Sequence, residues 1–288
     1  MKRDQFTLFV APSVIIMVLL MVLPLATAII LGFHRLTFTN INNPEFVGLQ
    51  NYIEVLTDSR FWNAMGFTLI YTAVTVPLHI VLGLAVALLL DQVKYLRGFY
   101  IAGALLPFIV TPVVGTLMFR LTFERGGLYT YLLSELLDSR VNFFLDGTTV
   151  TFLVLFHGVW YITPFAMIVL FAGLQTLPKD PLEAAKVDGA TWLQRMRHVI
   201  LPHLRSLFLF IALISIMDAY RVFDSIFVLT KQNPIYGVET IMYYNYEVAL
   251  SFQRLGKANA MSVLTVIGIF VVLIPFLYIT YRQQTETT

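Results

Sequence analysis

The sequence predicts an all-α, polytopic membrane protein of six transmembrane helices with a pair of short polar helices between the fourth and the fifth. Three observations carry this. Hydrophobic residues fill 58% of the 288 positions and charged residues 12%, with a mean hydropathy of +0.78, which is far more apolar material than one soluble core needs. Six apolar runs, approximately 8–32, 67–90, 99–119, 150–174, 207–229 and 258–281, reach the roughly 20 residues that cross about 30 Å of hydrocarbon. Residues 178–202, PKDPLEAAKVDGATWLQRMRHVILP, form a polar and basic island between two of them.

Each element follows from its residues. Ala26-Thr27-Ala28 after the basic Lys2-Arg3 imitates a signal-peptidase site. The apolar run before it is too long for a signal peptide and continues beyond it, so a retained first helix is expected. An even number of spans puts both termini on one side. The densest basic loops hold Lys2, Arg3, Lys94, Arg97, Lys179, Lys186, Arg195, Arg197, Arg205 and Arg282, and the bias of Lys and Arg toward the cytoplasm places the termini and the island there. Opposite them stand Arg35, Arg60, Arg120, Arg125, Arg140, Arg221, Lys231, Arg254 and Lys257. Asn40 to Pro44 reads as a turn, Phe46 to Tyr52 opens an amphipathic helix toward Leu56, and residues 127–137 read as a second one. Pro77, Pro107, Pro112 and Pro164 interrupt spans and predict kinks. Trp62, Tyr100 and Tyr281 near span ends read as interfacial anchors.

The island reads as two short helices. Asp180 is expected to cap the first, with Pro181 at its first position and Glu183 completing a D-x-x-E box, and Gly189 supplies the left-handed residue that ends it. Thr191 and Gln194 repeat the box. The second helix sets Trp192, Met196 and Val199 or Ile200 on one face and Arg195, Arg197 and His198 around the other, before Pro202 restarts the chain. On charge alone this is a basic hairpin resting on lipid headgroups. The order Glu183-Ala184-Ala185, Asp188-Gly189-Ala190 and Ile200-Leu201-Pro202 points elsewhere, because it resembles the EAA loop in the membrane subunits of binding-protein-dependent ABC importers.

That resemblance implies a type I importer permease fold over residues 1–288, with 178–202 as a cytoplasmic loop of coupling helices seated in a cleft of a separate ATPase. Glu183 would meet a basic residue there, Ala184 and Ala185 permit close approach, and Asp188, Gly189 and Ala190 form the bend. Phe46-Val47-Gly48-Leu49-Gln50-Asn51-Tyr52, Gly173 to Pro178 and Val228-Leu229-Thr230 resemble the carbohydrate-uptake branch, the maltose-permease type. That branch commonly has Gly-Gly-Pro after the threonine, whereas this chain has Lys231, Gln232, Asn233 and Pro234. The implied partners are a second related permease, a dimer of ATPase subunits that bind ATP and Mg, and an extracytoplasmic solute-binding protein docking near 127–137. The implied substrate is a sugar and the implied location a prokaryotic inner or plasma membrane. This chain has no G-x-x-x-x-G-K-[ST] loop and is expected to hold no cofactor and to be no enzyme.

Asp218, Arg221 and Asp224 stand at i, i+3 and i+6 of the fifth run and read either as a mutually compensating ladder that fixes packing or as a polar wall. In the resembled family, sugar is held by the spans on either side of the coupling loop. The aligned positions are Gly158, Tyr161, Ile162 and Phe165 on one, and Ser215, Ala219 and Arg221 on the other. Aromatic faces suit a pyranose ring, and polar groups suit its hydroxyls. His79 and His157 lie within spans and are expected to hydrogen-bond across helices or face a polar cavity, since no further ligands cluster with them for a metal.

Other classes leave these features without a purpose. An ion-coupled secondary transporter would use Asp218, Arg221 and Asp224 but not the paired capping boxes. A membrane enzyme built on His79 and His157 lacks a nucleophile, base and metal grouping. Within the importer class glycerol 3-phosphate is an alternative substrate, with Arg221 meeting its phosphate. The chain has no cysteine and a net charge of +2, and no basic and aromatic cluster outside the spans supports nucleic-acid binding.

Overall fold

The computed structural model describes residues 3–139, 141–233 and 236–286. Lys2, Arg140 and Pro234 lie outside them, as do the side chains of Arg3, Tyr281 and Arg282. Inter-residue distances divide the chain into two compact units, Met1–Asn63 with Ile241–Val271, and Ala64–Thr240 with Val272–Thr288.

The first unit opens with α1 (Arg3–Gly32), which carries Pro12 and Pro24 and buries none of its most apolar stretch. A short antiparallel ribbon of β1 (His34–Arg35) and β2 (Glu45–Phe46) follows. Phe46 therefore pairs in a strand, and α2 (Gln50–Leu56) begins four residues later than the expected helix. The Asn51 amide explains the boundary: it donates to the carbonyls of Gly32 and His34 at 2.9 Å each, pinning α2 to the end of α1. The unit also holds the start of α3 (Ser59–Gln92), then α12 (Ile241–Tyr246) with a π-helical turn at Glu247–Ser251, and the start of α13 (Leu255–Glu286).

Asp58 gathers this unit. Its carboxylate accepts from Lys257 Nζ at 2.7 Å, Tyr244 Oη at 2.5 Å and the Arg60 backbone at 3.0 Å. Arg60 in turn pairs with Glu247 and lies over the Tyr244 ring, and Arg254 meets Glu54. Burial alone would raise the Asp58 carboxyl, but the bonds from Lys257, Tyr244 and the Arg60 backbone outweigh it and hold it below its ordinary value of 3.8. A depressed carboxylate stabilises the fold at pH values above its unfolded value and loses that contribution as pH falls through the folded one.

The second unit is built on α7 (Gly147–Gln175), which starts where Asp146 accepts from the Thr149 amide at 2.8 Å. Around it stand the rest of α3, α4 (Arg97–Ile109), α5 (Pro112–Phe123), α6 (Leu128–Leu136), α8 (Lys179–Val187), α9 (Trp192–Arg195), α10 (Leu201–Tyr220) and α11 (Asp224–Thr230). α4, α10 and α11 all pack on α7. The core joins Ala87 and Leu90 of α3, Met167 and Leu170 of α7, and Leu204 and Ile211 of α10. Gly83 permits that approach, since a Cβ there would lie 2.7 Å from Ala166 Cβ and 2.9 Å from the Met167 amide.

Among the described residues five helices are long and apolar enough to cross a membrane, and the third expected span is instead a pair, Arg97–Ile109 and Pro112–Leu136, bent by 97°. Pro112 gives the reason: it donates no hydrogen bond and forces the residue before it out of the helical region, so Val110 and Thr111 are extended at ψ 139. Where a kink was expected, the helix breaks. The fifth span also differs. It runs from Trp192 to Tyr220 rather than over 207–229, because a π-helical turn at Met196–Ile200 carries α9 into α10. The Leu201 amide reaches back to Met196 O across that wide turn, so Pro202 sits in the first turn of α10 and does not restart the chain.

We expect Asp58→Asn to lower stability by about 1.5–3 kcal/mol at pH 7, the worth of hydrogen bonds to a charged group. Thermal unfolding of the purified protein in detergent should show this gap closing as pH falls below 3.8. A gap that persists there would assign the loss to packing instead.

Candidate functional site

Helices α3, α4, α5, α7, α10 and α11 line a cavity of about 340 Å³, at the lower end of the roughly 300–1,000 Å³ of small-molecule sites. Gly158, Tyr161, Ile162, Ser215, Asp218, Ala219, Arg221 and Asp224, all singled out in the sequence, line it together. Phe165 does not. It stacks on Phe108 at 6.0 Å between ring centroids, and Phe108 forms the wall. Tyr71, Thr116 and Ser225 also line the cavity without having been read from the sequence; their only signal was polarity inside an apolar run. His79 and His157 both bond across helices and face the cavity, as their place within spans suggested.

Bond accounting fixes what these groups offer. His79 Nδ1 lies 2.8 Å from the Thr75 carbonyl, which only accepts, so Nδ1 carries the hydrogen and Nε2 accepts from the Ser215 hydroxyl at 2.9 Å. Ser215 has then spent its hydrogen and presents a lone pair. Thr116 likewise donates to Pro112 O at 2.7 Å and must accept from His157 Nε2 at 3.1 Å. In the uncharged ring His157 Nδ1 is then an acceptor, and it is buried without a partner among the described residues. Tyr161 stacks on this imidazole at 5.8 Å and 11°, presenting an aromatic wall.

The expected ladder of Asp218, Arg221 and Asp224 on one helix is not present. α10 ends at Tyr220, where the Arg221 amide bonds Asp218 O at 3.0 Å, and Asp224 opens α11. Among the described residues no ion pair joins Arg221 to either carboxylate. All three residues line the cavity.

The polar island forms two arms. α8 starts at Lys179 with Pro178 at its N-cap and no side-chain cap, so Asp180 is not the expected cap; it lies in the first turn, where a carboxylate meets the positive end of the helix dipole. Gly189 bends the chain at φ +74, a backbone that disfavours any residue with a Cβ. Thr191 and Gln194 form the predicted capping box, with Gln194 Oε1 2.7 Å from the Thr191 amide. Glu183, Ala184 and Asp188 are exposed, and Ala185 and Ala190 are half-buried. Ala185, Asp188, Gly189 and Ala190 face Gln194, Arg195, His198 and Val199 across a notch of about 360 Å³. Val187 and Leu193 are 87% and 68% exposed beside it, as suits a surface that a protein partner covers.

The family described as "Binding-protein-dependent transport system inner membrane component" matches residues 56–285. The chain belongs to this family. It is 33% identical to the trehalose/maltose transport system permease protein MalF of Thermococcus litoralis, over 90% of this chain and 87% of that one. It is equally identical to the trehalose transport system permease protein SugA of Mycobacterium tuberculosis, over 91% of this chain and 84% of that one. The fold matches a solved bacterial ABC transporter involved in the import of the acidic polysaccharide alginate, with a TM-score of 0.81 at 21% identity, over 98% of this chain and 96% of that one.

In this permease the cavity depends on Gly158. A Cβ there would fall 2.8 Å from Tyr71 Cζ and closer still to its hydroxyl, and Tyr71 is buried and lines the cavity, so a cavity-lining ring must shift. We expect Gly158→Ala to cut uptake about tenfold through overpacking of the wall while membrane insertion is retained. Adding Tyr71→Phe, which removes the nearest atom, should restore part of the loss in an uptake assay.

Proposed function

We propose that this chain is the permease subunit of an ABC importer that passes a sugar into the cytoplasm. One observation supports this most: the exposed two-armed loop joins α7 to α10, the helices that bring His157, Tyr161, Ser215 and Asp218 to the cavity wall. A force applied to the loop therefore acts on the substrate site directly. Tyr161 offers an aromatic face for a pyranose ring, and Ser215, Asp218, Arg221 and Asp224 offer hydrogen-bonding groups for its hydroxyls. The names of the MalF and SugA relatives, with trehalose and maltose, agree with such a substrate.

The remaining parts of the machine are partners. A second related permease completes the pathway, and a dimer of separate ATPase subunits, binding ATP and Mg, engages Glu183, Ala184, Ala185, Asp188, Gly189 and Ala190. An extracytoplasmic solute-binding protein delivers the sugar. This chain hydrolyses nothing itself. The bent α4 and α5 pair counts as one crossing, so six crossings leave both termini in the cytoplasm of a prokaryotic cell, on the side of the loop. Closure of the ATPases then rocks α7 and α10 and opens the cavity alternately to each face.

Coupling is tested by separating hydrolysis from transport. Glu183→Lys reverses the charge offered to the ATPase, and Gly189→Pro imposes a negative φ where the bend needs +74. Both variants should insert and assemble normally, retain ATP hydrolysis, and lose at least about tenfold of ATP-driven uptake in proteoliposomes, the equivalent of one lost contact of about 1.4 kcal/mol. Full uptake in both would remove the loop from the mechanism.

A further inference from the structure

The charged groups of the cavity wall lean negative. Asp218 and Asp224 bring two carboxylates against the single guanidinium of Arg221, and no lysine lines the space. Ser215 leans the same way, because it has spent its hydrogen on His79 and offers the cavity a lone pair. A buried acceptor left unmatched is costly, and a ligand that donates to it removes that cost. Sugar hydroxyls donate readily. A carboxylate or phosphate on the ligand has nothing to donate and adds a negative charge to a wall that already has an excess of one.

We infer that this cavity selects uncharged sugars over acidic ones, and that Asp218 and Asp224 set the preference. The inference rests on the sugar reading above. It separates this chain's site from one built for an acidic polysaccharide, and from the glycerol 3-phosphate alternative, although Arg221 alone would suit an anion. Arg221 is held between two carboxylate-bearing positions at the end of α10 and the start of α11, so an entering anion meets both carboxylates together with the one cation.

The test uses the whole transporter in lipid nanodiscs without its binding protein, because that protein has a selectivity of its own. Equilibrium binding is measured for trehalose, maltose and maltotriose, each against an acidic analogue: trehalose 6-phosphate, maltobionate and maltotrionate. The uncharged member of any pair that binds should bind at least about tenfold more tightly. Asp218→Asn with Asp224→Asn, which keeps shape and removes charge, should bring that ratio below about threefold, a change in discrimination that a loss of folding does not mimic. Equal or tighter binding of the acidic members to the native transporter overturns the inference. A ratio unchanged in the double variant overturns the assignment to these two residues. If neither uncharged nor acidic sugars bind, the sugar reading itself fails, and this inference with it.

Discussion

Hydrocarbon offers no partner to a backbone N–H or C=O, so a chain crossing it must be helical except where protein or a cavity takes over that role. Among the described residues the apolar runs break at two places, between α4 and α5 and between α10 and α11. Both border the same cavity: Phe108 and Pro112 flank the first break, and Arg221, Val222 and Phe223 form the second. The freed backbone groups are met locally. The Arg221 and Val222 amides bond Asp218 O and Ala219 O, and the Thr240 hydroxyl donates to Val222 O at 2.9 Å. The site is thus placed where irregular backbone is tolerated, and the irregular backbone supplies part of its polarity.

Holding α11 in place after such a break needs a second device, and Arg120 provides it. This buried guanidinium donates to Val228 O at 2.7 Å and Leu229 O at 2.5 Å, satisfying carbonyls at the negative end of α11. Lys231 then turns the chain at φ 49 and returns its ammonium to Glu124, which also pairs with Arg120 at 2.8 Å. Lys231 stands where the resembled sugar permeases commonly have glycine. Here a left-handed turn is kept by a residue with a side chain, at the strain such a backbone carries, and the side chain ties the turn to α5. Charge around α11 is therefore of two kinds: Arg120, Glu124 and Lys231 secure its C-terminal end, while Asp218, Arg221 and Asp224 line the cavity.

Much of this was legible in the chain because it depends on local rules. The capping box of Thr191 and Gln194, the left-handed Gly189 and the apolar runs each follow from a few neighbouring residues. The co-location of Gly158, Tyr161, Ser215 and Ala219 came from family resemblance rather than from physics. What was not legible depends on how local rules compete. Pro112 could kink or break a helix, and the extended Thr111 decided for a break. Pro202 reads as a helix restart, yet a π-helical turn absorbs it. Asp180 fits a cap, but the helix begins one residue before it, at Lys179. The i, i+3, i+6 spacing of Asp218, Arg221 and Asp224 assumed a helix that stops at Tyr220. Tyr71, Thr116 and Ser225 enter the cavity through helix packing, which no single stretch of sequence encodes.

The two arms of the loop are joined to their helices differently. From Trp192 the second arm runs without interruption into α10, so residues 192–218 behave as one rod of roughly 40 Å at 1.5 Å per residue. The first arm, α8, meets α7 through Thr176, Leu177 and Pro178, a non-helical joint that His203 of α10 steadies at 3.3 Å from the Thr176 hydroxyl. On the coupling proposed above, a push on the loop would reach Ser215 and Asp218 along a continuous helix, and α7 across the non-helical joint. The π-helical turn lies within the rod and keeps it continuous through Pro202. Displacement of α10 against α7 changes the separation of Ser215 and Asp218 from Gly158 and Tyr161, the two walls between which a sugar ring would be held.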